Sequence, residues 1–270
     1  MTTGAGVKAH EIYGRLICSY PSLAPAGAKN DFPASCWHCF MPESFSREHC
    51  IRYHKERVSL AIEAVREGNG ALGENIHIFH TPGHSPDALA ILLGNEAILV
   101  GDTVLPEITP FPSREEFFRQ AQPILPRRYT SADSIYGLRA YLRTLQKLKE
   151  TATKHPGLLV LPAHRFFNKN HWNELDLAAR VDELIEHHIQ RCTDILKIVK
   201  EKPKSGKEIA AEYFKESKLK GFGIFMAVNE ILSHCELLTA AKDVTVEDGK
   251  FVSTGSSSFE SYIHALQPLL

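Results

Sequence analysis

The sequence predicts an α+β fold in which a strand-rich first part is followed by a helical second part. Three observations predict it. Short apolar runs at 76–79, 90–93, 97–100 and 158–161 are bounded by Gly, Pro or Asn, as strands are. From about 134 onward, apolar residues recur at three- and four-residue spacing over long stretches, which is the helical period. Near the end, Val244-Thr245-Val246 and Phe251-Val252 flank Glu247-Asp248-Gly249-Lys250, a hairpin turn.

Composition narrows the class. The 270 residues, 43% hydrophobic and 23% charged, give room for one large or two modest globular domains. A boundary is expected near 172–180, so that residues 1–172 and 173–270 form the two parts. A net charge of −1 gives no general pull towards nucleic acid or an anionic membrane. No apolar run approaches the length of a bilayer span, and no charged stretch with an apolar core opens the chain as in a signal peptide. The six cysteines are too scattered for a disulfide scaffold, so a reducing cytoplasm is the expected location.

Taken in order, residues 1–47 carry little pattern beyond Val7 to Cys18, read as a strand and a short helix, and a Pro/Gly/Ala-rich loop at 21–33. Cys36, Cys39, Cys50 and His54 have the Cys-x2-Cys-x10-Cys-x3-His spacing of a tetrahedral metal site. The competing reading is a loop with incidental thiols, since a single Cys-x2-Cys pair is a weak signal. Ser46 to Gly68 reads as a helix, capped by Ser46, with Ile51, Val58, Ile62 and Val65 in one stripe.

The block from 76 to 103 carries the chemistry. His84 follows a Pro82-Gly83 turn, Asp102 follows the strand 97–100 and Gly101, and His164 follows the strand 158–161. Three strand ends thus deliver His, Asp and His, a set that suits zinc, iron or manganese. Asp87 is placed to orient His84 from behind, as ligand histidines require. His80 is expected to be an ordinary strand-end histidine. Pro106 to Pro112 forms a loop beside these strand ends. Arg114, Arg119, Arg127, Arg128 and Tyr129 follow it and read mainly as solvated surface.

Thr81-Pro82-Gly83-His84-Ser85-Pro86-Asp87, Leu99-Val100-Gly101-Asp102-Thr103 and Leu161-Pro162-Ala163-His164, in that order, resemble the later motifs of the metallo-β-lactamase superfamily. The resemblance covers roughly residues 70–170. It implies the C-terminal half of an αββα sandwich. It also implies that His84 is a ligand of one metal, that Asp102 bridges two, and that His164 is a ligand of the second. The superfamily's His-x-His-x-Asp-His motif does not occur in the 270 residues. A segment like Gly6 to Glu11 normally follows it, so the chain is expected to begin just after that motif. It is then either N-terminally incomplete or a relative that has lost half its site.

The implied activity is hydrolysis of a small ester or thioester, glyoxalase II-like, through a metal-activated water, with two zinc ions in the complete fold. The alternatives are a non-catalytic degenerate relative or fragment, and a nuclease of the same superfamily. The balance of charge argues against the nuclease. The string from Gly101 to Pro110 resembles a subgroup that carries an extra C-terminal helical module.

The rest of the chain agrees with such a module. Ser134 to Lys154 predicts an amphipathic helix with Leu138, Leu142, Leu145 and Leu148 inward and Asp133 or Ser134 as its cap. A loop is expected from 165 to 172, and a long helix from Glu174 to Lys200. Helices at 205–214, opened by the capping box Ser205/Glu208, and at 225–238 precede the hairpin, the outline of a winged helix. The stretch 224–238 has no Arg or Lys, so a structural or homodimerising role is expected rather than DNA recognition. The partners expected are therefore a small-molecule substrate and a second copy of the chain, with no nucleic acid and no membrane.

Overall fold

A computed structural model describes residues 75–268 except 123, 124 and 126, together with three short strands nearer the start. Those strands are β1 (Val7–His10), β2 (Ile62–Val65) and β3 (Gly68–Asn69). The chain divides into two compact units, Met1–Arg66 with Arg119–Thr130, and Glu67–Phe118 with Ser131–Leu270. In the first unit β1 and β2 pair in parallel, Val7 opposite Ile62 and His10 opposite Val65. This corrects the end of the helix expected at 46–68. Ile62 and Val65 are both β-branched, and a distant partner strand takes the backbone groups of their segment, which overrides a helical period read locally. The remainder of that helix, and Cys36, Cys39, Cys50 and His54, lie outside the described residues.

The second unit is built on a five-stranded sheet. Its strands are β3, β4 (Ile76–His80), β5 (Leu89–Leu93), β6 (Ala97–Gly101) and β7 (Leu159–Pro162), in that spatial order. The first three junctions are antiparallel and β6–β7 is parallel. One sheet face contributes Ala90, Leu92, Ile98, Val100 and Val160 to the core. Between β6 and β7 come α1 (Phe117–Ala121) and α2 (Gly137–Lys154). The parallel pair needs a long crossover, which α2 supplies in part. After β7 a small hairpin joins β8 (Phe167–Asn168) to β9 (His171–Trp172). The chain then runs through α3 (Leu177–Glu201), α4 (Gly206–Tyr213), α5 (Phe222–Ala240), the hairpin β10–β11 (Val244–Glu247, Lys250–Ser253) and α6 (Phe259–Ala265). Among the described residues no helix is long and apolar enough to cross a membrane.

The stripe Leu138, Leu142, Leu145 and Leu148 is fully buried, as its period predicts. One continuous core runs from the sheet through these leucines to Val181, Leu184 and Ile195 of α3 and to Ile209, Ile231 and Leu238 beyond. Each such side chain contributes about 1.5–3 kcal/mol on burial, so this cluster dominates stability. The β10–β11 turn uses positive φ at Asp248 and Gly249, as a two-residue turn of this kind demands.

Two helix starts show how local and distant signals divide. Ser205 and Glu208 form the capping box that their spacing predicts. Replacing Ser205 with alanine is expected to lower stability by about 1 kcal/mol, read as a shift in the urea midpoint. At α2 the expectation fails, because neither Asp133 nor Ser134 caps it. Those residues lie in a separate turn of 3₁₀-helix, Ala132–Ser134, and α2 starts at Gly137 with φ 86°. The Gly137 N–H donates to Ser113 Oγ, from a loop 24 positions earlier, so the cap arrives through tertiary contact. The β8–β9 hairpin falls inside the loop expected at 165–172. Its turn residues Lys169 and Asn170 both have positive φ, and only Asn favours that conformation locally, so the sequence signal was weak.

Candidate metal centre

His84 sits on a loop that the rest of the fold grips tightly. Gly83 has φ 125° and packs directly on the backbone of α2 at Tyr141. Both the backbone N–H and the hydroxyl of Ser113 donate to the Gly83 carbonyl, at 2.7 and 2.8 Å. Thr144 Oγ1 donates to the Pro82 carbonyl at 2.7 Å. His84 itself is half-buried, and its Nδ1 donates to the Phe111 carbonyl at 2.8 Å. That bond places a proton on Nδ1, so Nε2 is the ring nitrogen that a metal would take in the neutral imidazole. The side chain that orients His84 was expected to be Asp87; the hydrogen bond goes to Phe111 instead. Asp87 is close enough for the His84 charge to act on it. Burial pushes the Asp87 carboxyl above its ordinary range, and a hydrogen bond from Ser85 and the His84 charge partly offset this. His80 Nε2 donates to the Pro86 carbonyl at 2.7 Å and so serves the same loop.

Asp102 and His164 leave the ends of the parallel pair β6 and β7, and the sheet brings them together. His164 Nε2 lies 3.2 Å from Asp102 Oδ1. The direction of approach does not make a hydrogen bond, and Oδ1, shielded from solvent, has no hydrogen-bond partner. An oxygen and a ring nitrogen that face each other unbonded at this separation match two ligands of one ion, each at roughly 2.1 Å from it. The pair supplies two donor atoms of types that zinc accepts, one fewer than the three that a catalytic zinc takes from its protein. Gly101, with φ 56°, gives the sharp exit from β6 that aims Asp102. The carbonyl of Thr103, next along, accepts from the buried Tyr141 hydroxyl at 2.7 Å. Among the described residues no three His, Cys, Asp or Glu side chains are close enough together to hold a metal. His84 thus stands apart from the Asp102–His164 pair.

The loop after Asp102 contributes groups that the sequence did not single out. Arg180 of α3 donates Nε to the Leu105 carbonyl and Nη2 to the Ile108 carbonyl, both at 2.9 Å. Glu107 reaches the segment after His164, accepting from Asn168 Nδ2 at 2.7 Å and from Arg165 Nη1 at 3.2 Å. Those two bonds hold its carboxyl below the usual range, the Asn168 bond more than the Arg165 one. Nothing local marks Glu107 or Arg180, because each acts on a segment far away in the sequence. Arg114, expected at the surface, is mostly buried and lies 3.6 Å from Glu236 of α5. The Glu236 carboxyl accepts from the backbone N–H groups of Glu115 and Glu116, and burial pushes it up to about 7. His171 is exposed.

No protein-family model matches the chain, and no curated protein sequence matches it. Solved structures do. A metallo-beta-lactamase family protein from Thermus thermophilus superposes with a TM-score of 0.60 at 22% identity, over 93% of this chain and 72% of that one. A beta-lactamase domain protein from Burkholderia ambifaria gives a TM-score of 0.60 at 22% identity, over 88% of this chain and 61% of that one. With the strand ends described above, this likeness shows that the chain has the metallo-β-lactamase fold.

Proposed function

We propose that the chain is a metal-dependent hydrolase of small esters or thioesters. The observation that carries this reading is the unbonded approach of Asp102 Oδ1 and His164 Nε2 at 3.2 Å, in a fold shared with metallo-beta-lactamase family proteins. Zinc is the metal best suited to one carboxylate and imidazoles, with iron or manganese as alternatives. When bound, it supplies a Lewis acid and lowers the pKa of a water from 15.7 to about 7. Asp102 and His164 would hold it. The Asp102 carboxylate would accept a proton from the attacking water. His84, with Nδ1 fixed on the Phe111 carbonyl, would offer Nε2 as its donor atom. A net charge of −1 favours a small substrate over a nucleic acid.

A second reading, a non-catalytic relative, is favoured by the absence of any three-ligand group among the described residues. Zinc titration calorimetry on the whole chain decides between them. The wild type is expected to bind zinc, and Asp102→Asn and His164→Ala each to weaken binding at least tenfold. A wild type that takes up no zinc and cleaves neither a thioester, a lactone nor a phosphodiester leaves only the non-catalytic reading.

A further inference from the structure

Glu107 and Arg165 are non-glycine residues with φ of 60° and 62°. Backbone in this region is strained, and it persists only where surrounding contacts over-determine it. Of the six such residues among those described, Lys169, Asn170 and Asp248 lie at hairpin turns, where positive φ is required, and Lys242 follows the end of α5. Glu107 is the middle residue of a three-residue turn closed by the Ile108 N–H on the Pro106 carbonyl at 2.6 Å, a strained turn type, and Arg165 has no hairpin turn to explain it. They lie five residues past Asp102 and one past His164, and they bond to each other. Asn168 adds its amide to the same Glu107 oxygen, and Lys169 Nζ lies 3.8 Å from the other oxygen. The hairpin that presents these donors is closed at its base by Asn173, which donates its N–H to the Phe166 carbonyl and its side-chain amide to the Arg165 carbonyl, both at 2.7 Å. One carboxylate thus gathers two hydrogen-bond donors and a nearby ammonium from the segment that leaves His164 and ties them to the loop that leaves Asp102.

We infer that Glu107 is a positioning residue, whose carboxylate holds the Asp102 loop and the His164 loop in register so that the two side chains converge. This rests on the reading of Asp102 and His164 as metal ligands. Parallel β6 and β7 align the two strands only as far as Gly101 and Pro162. Beyond that point no ladder bond fixes the separation of the ligands, apart from the Ala163 N–H to the Gly101 carbonyl at 2.9 Å. The Glu107 cluster is the next cross-link outward. Glu107, Arg165 and Lys169 are exposed and Asn168 is half-buried, so the cluster's loss removes little global stability. Its effect falls on the geometry of the two side chains, where partners lying behind ligands alter metal affinity by about 10–100-fold.

The test compares the whole wild-type chain with Glu107→Ala, Glu107→Gln and Asn168→Asp. The last opposes Glu107 with a like charge and leaves Glu107 in place. In metal-free protein, amide hydrogen exchange at 102–108 and 163–172 is expected to quicken about tenfold in Glu107→Ala and Asn168→Asp, with exchange in α2 unchanged. Zinc affinity by calorimetry is expected to fall about tenfold in the same two variants and to recover partly in Glu107→Gln, which keeps an acceptor oxygen for Asn168. Exchange and zinc affinity at wild-type values in both variants overturn the inference. So does faster exchange with unchanged zinc affinity, which would make Glu107 a tie for the hairpin alone. Failure of the wild type to bind zinc overturns the metal-site reading instead, and the exchange rates then decide whether Glu107 links the two loops.

Discussion

Gly83→Ala is expected to be the most damaging single-methyl change in the loop that carries His84. A Cβ at this position would lie 2.3 Å from Tyr141 Cα and 2.4 Å from its backbone nitrogen. Both are main-chain atoms within α2, so no side chain can rotate out of the way. The φ of 125° is also closed to alanine. Overpacking and an unfavourable φ together predict a loss of about 3 kcal/mol or more. If the fold survives, the loop must lift away from α2. It would then lose the Ser113 and Thr144 bonds and carry His84 off Phe111. Gly94→Ala is the matched control. Its φ is also positive, at 54°, but nothing lies within 4 Å of the added methyl, so only about 1 kcal/mol is expected. Urea unfolding of the two variants measures the difference. Equal midpoints would mean that the loop does not rest on α2 as described.

The second large effect is in acid. His188 of α3 and His234 of α5 are fully buried, with His188 Nδ1 2.9 Å from His234 Nε2. His234 Nδ1 lies 2.6 Å from the Glu230 carbonyl and must donate to it. Its Nε2 is therefore the acceptor, and His188 Nδ1 donates to it. His188 Nε2 is left buried without a hydrogen-bond partner. A proton on His234 Nε2 would set two N–H groups against each other, and one on His188 Nε2 would meet no acceptor. Around the pair lie His187 and Arg191 on α3, the Arg191 ion-pair partner Glu230 on α5, and the Tyr141 ring from α2. Burial comes first in holding both histidines well below 6.5. The neighbouring imidazoles and Arg191 add to it for His188, and Arg191 and His187 for His234. Burial also pushes His187 down to about 4.

The folded chain thus binds fewer protons than the unfolded one. The stability these histidines contribute is present above the unfolded value of 6.5 and is lost as pH falls below it. Each contributes about 1.4 kcal/mol per pH unit, so the pair costs about 2–3 kcal/mol between about pH 7.5 and about pH 5.5. The raised carboxyls of Glu236 and Asp87 act in the opposite sense, since they gain protons on folding as pH falls. The quantity to measure is therefore the difference between wild type and His188→Leu/His234→Leu. Removing both partners together leaves no orphaned group, so the double variant is expected to fold at neutral pH. Its stability is expected to fall by about 2–3 kcal/mol less than that of the wild type over the same interval. Parallel pH curves would show that the pair does not remain neutral in the folded chain.

Much of the fold was legible locally. The leucine stripe of α2 has the helical period, the Asp248-Gly249 turn carries residues that tolerate positive φ, and Ser205 with Glu208 spells a cap, so each is written within a few residues. The metallo-β-lactamase fold followed from the resemblance of the motifs around His84, Asp102 and His164 to that superfamily, and the solved structures share it. The failures have a common cause. Ile62 to Val65 was read as helix because its strand partner, Val7 to His10, lies far back in the sequence. The start of α2 was misplaced because its cap, Ser113, comes from another loop.

The sequence by itself determined which side chains stand at the strand ends and which faces of the helices are apolar, because periodicity and turn chemistry depend on near neighbours. Only the tertiary structure decided that His84 turns to the Phe111 carbonyl, that Asp102 Oδ1 and His164 Nε2 meet without bonding, and that Glu107 and the His188–His234 pair join distant segments. Such contacts are selected by packing and by the need to satisfy buried polar groups across the whole chain, and no short stretch of residues records them.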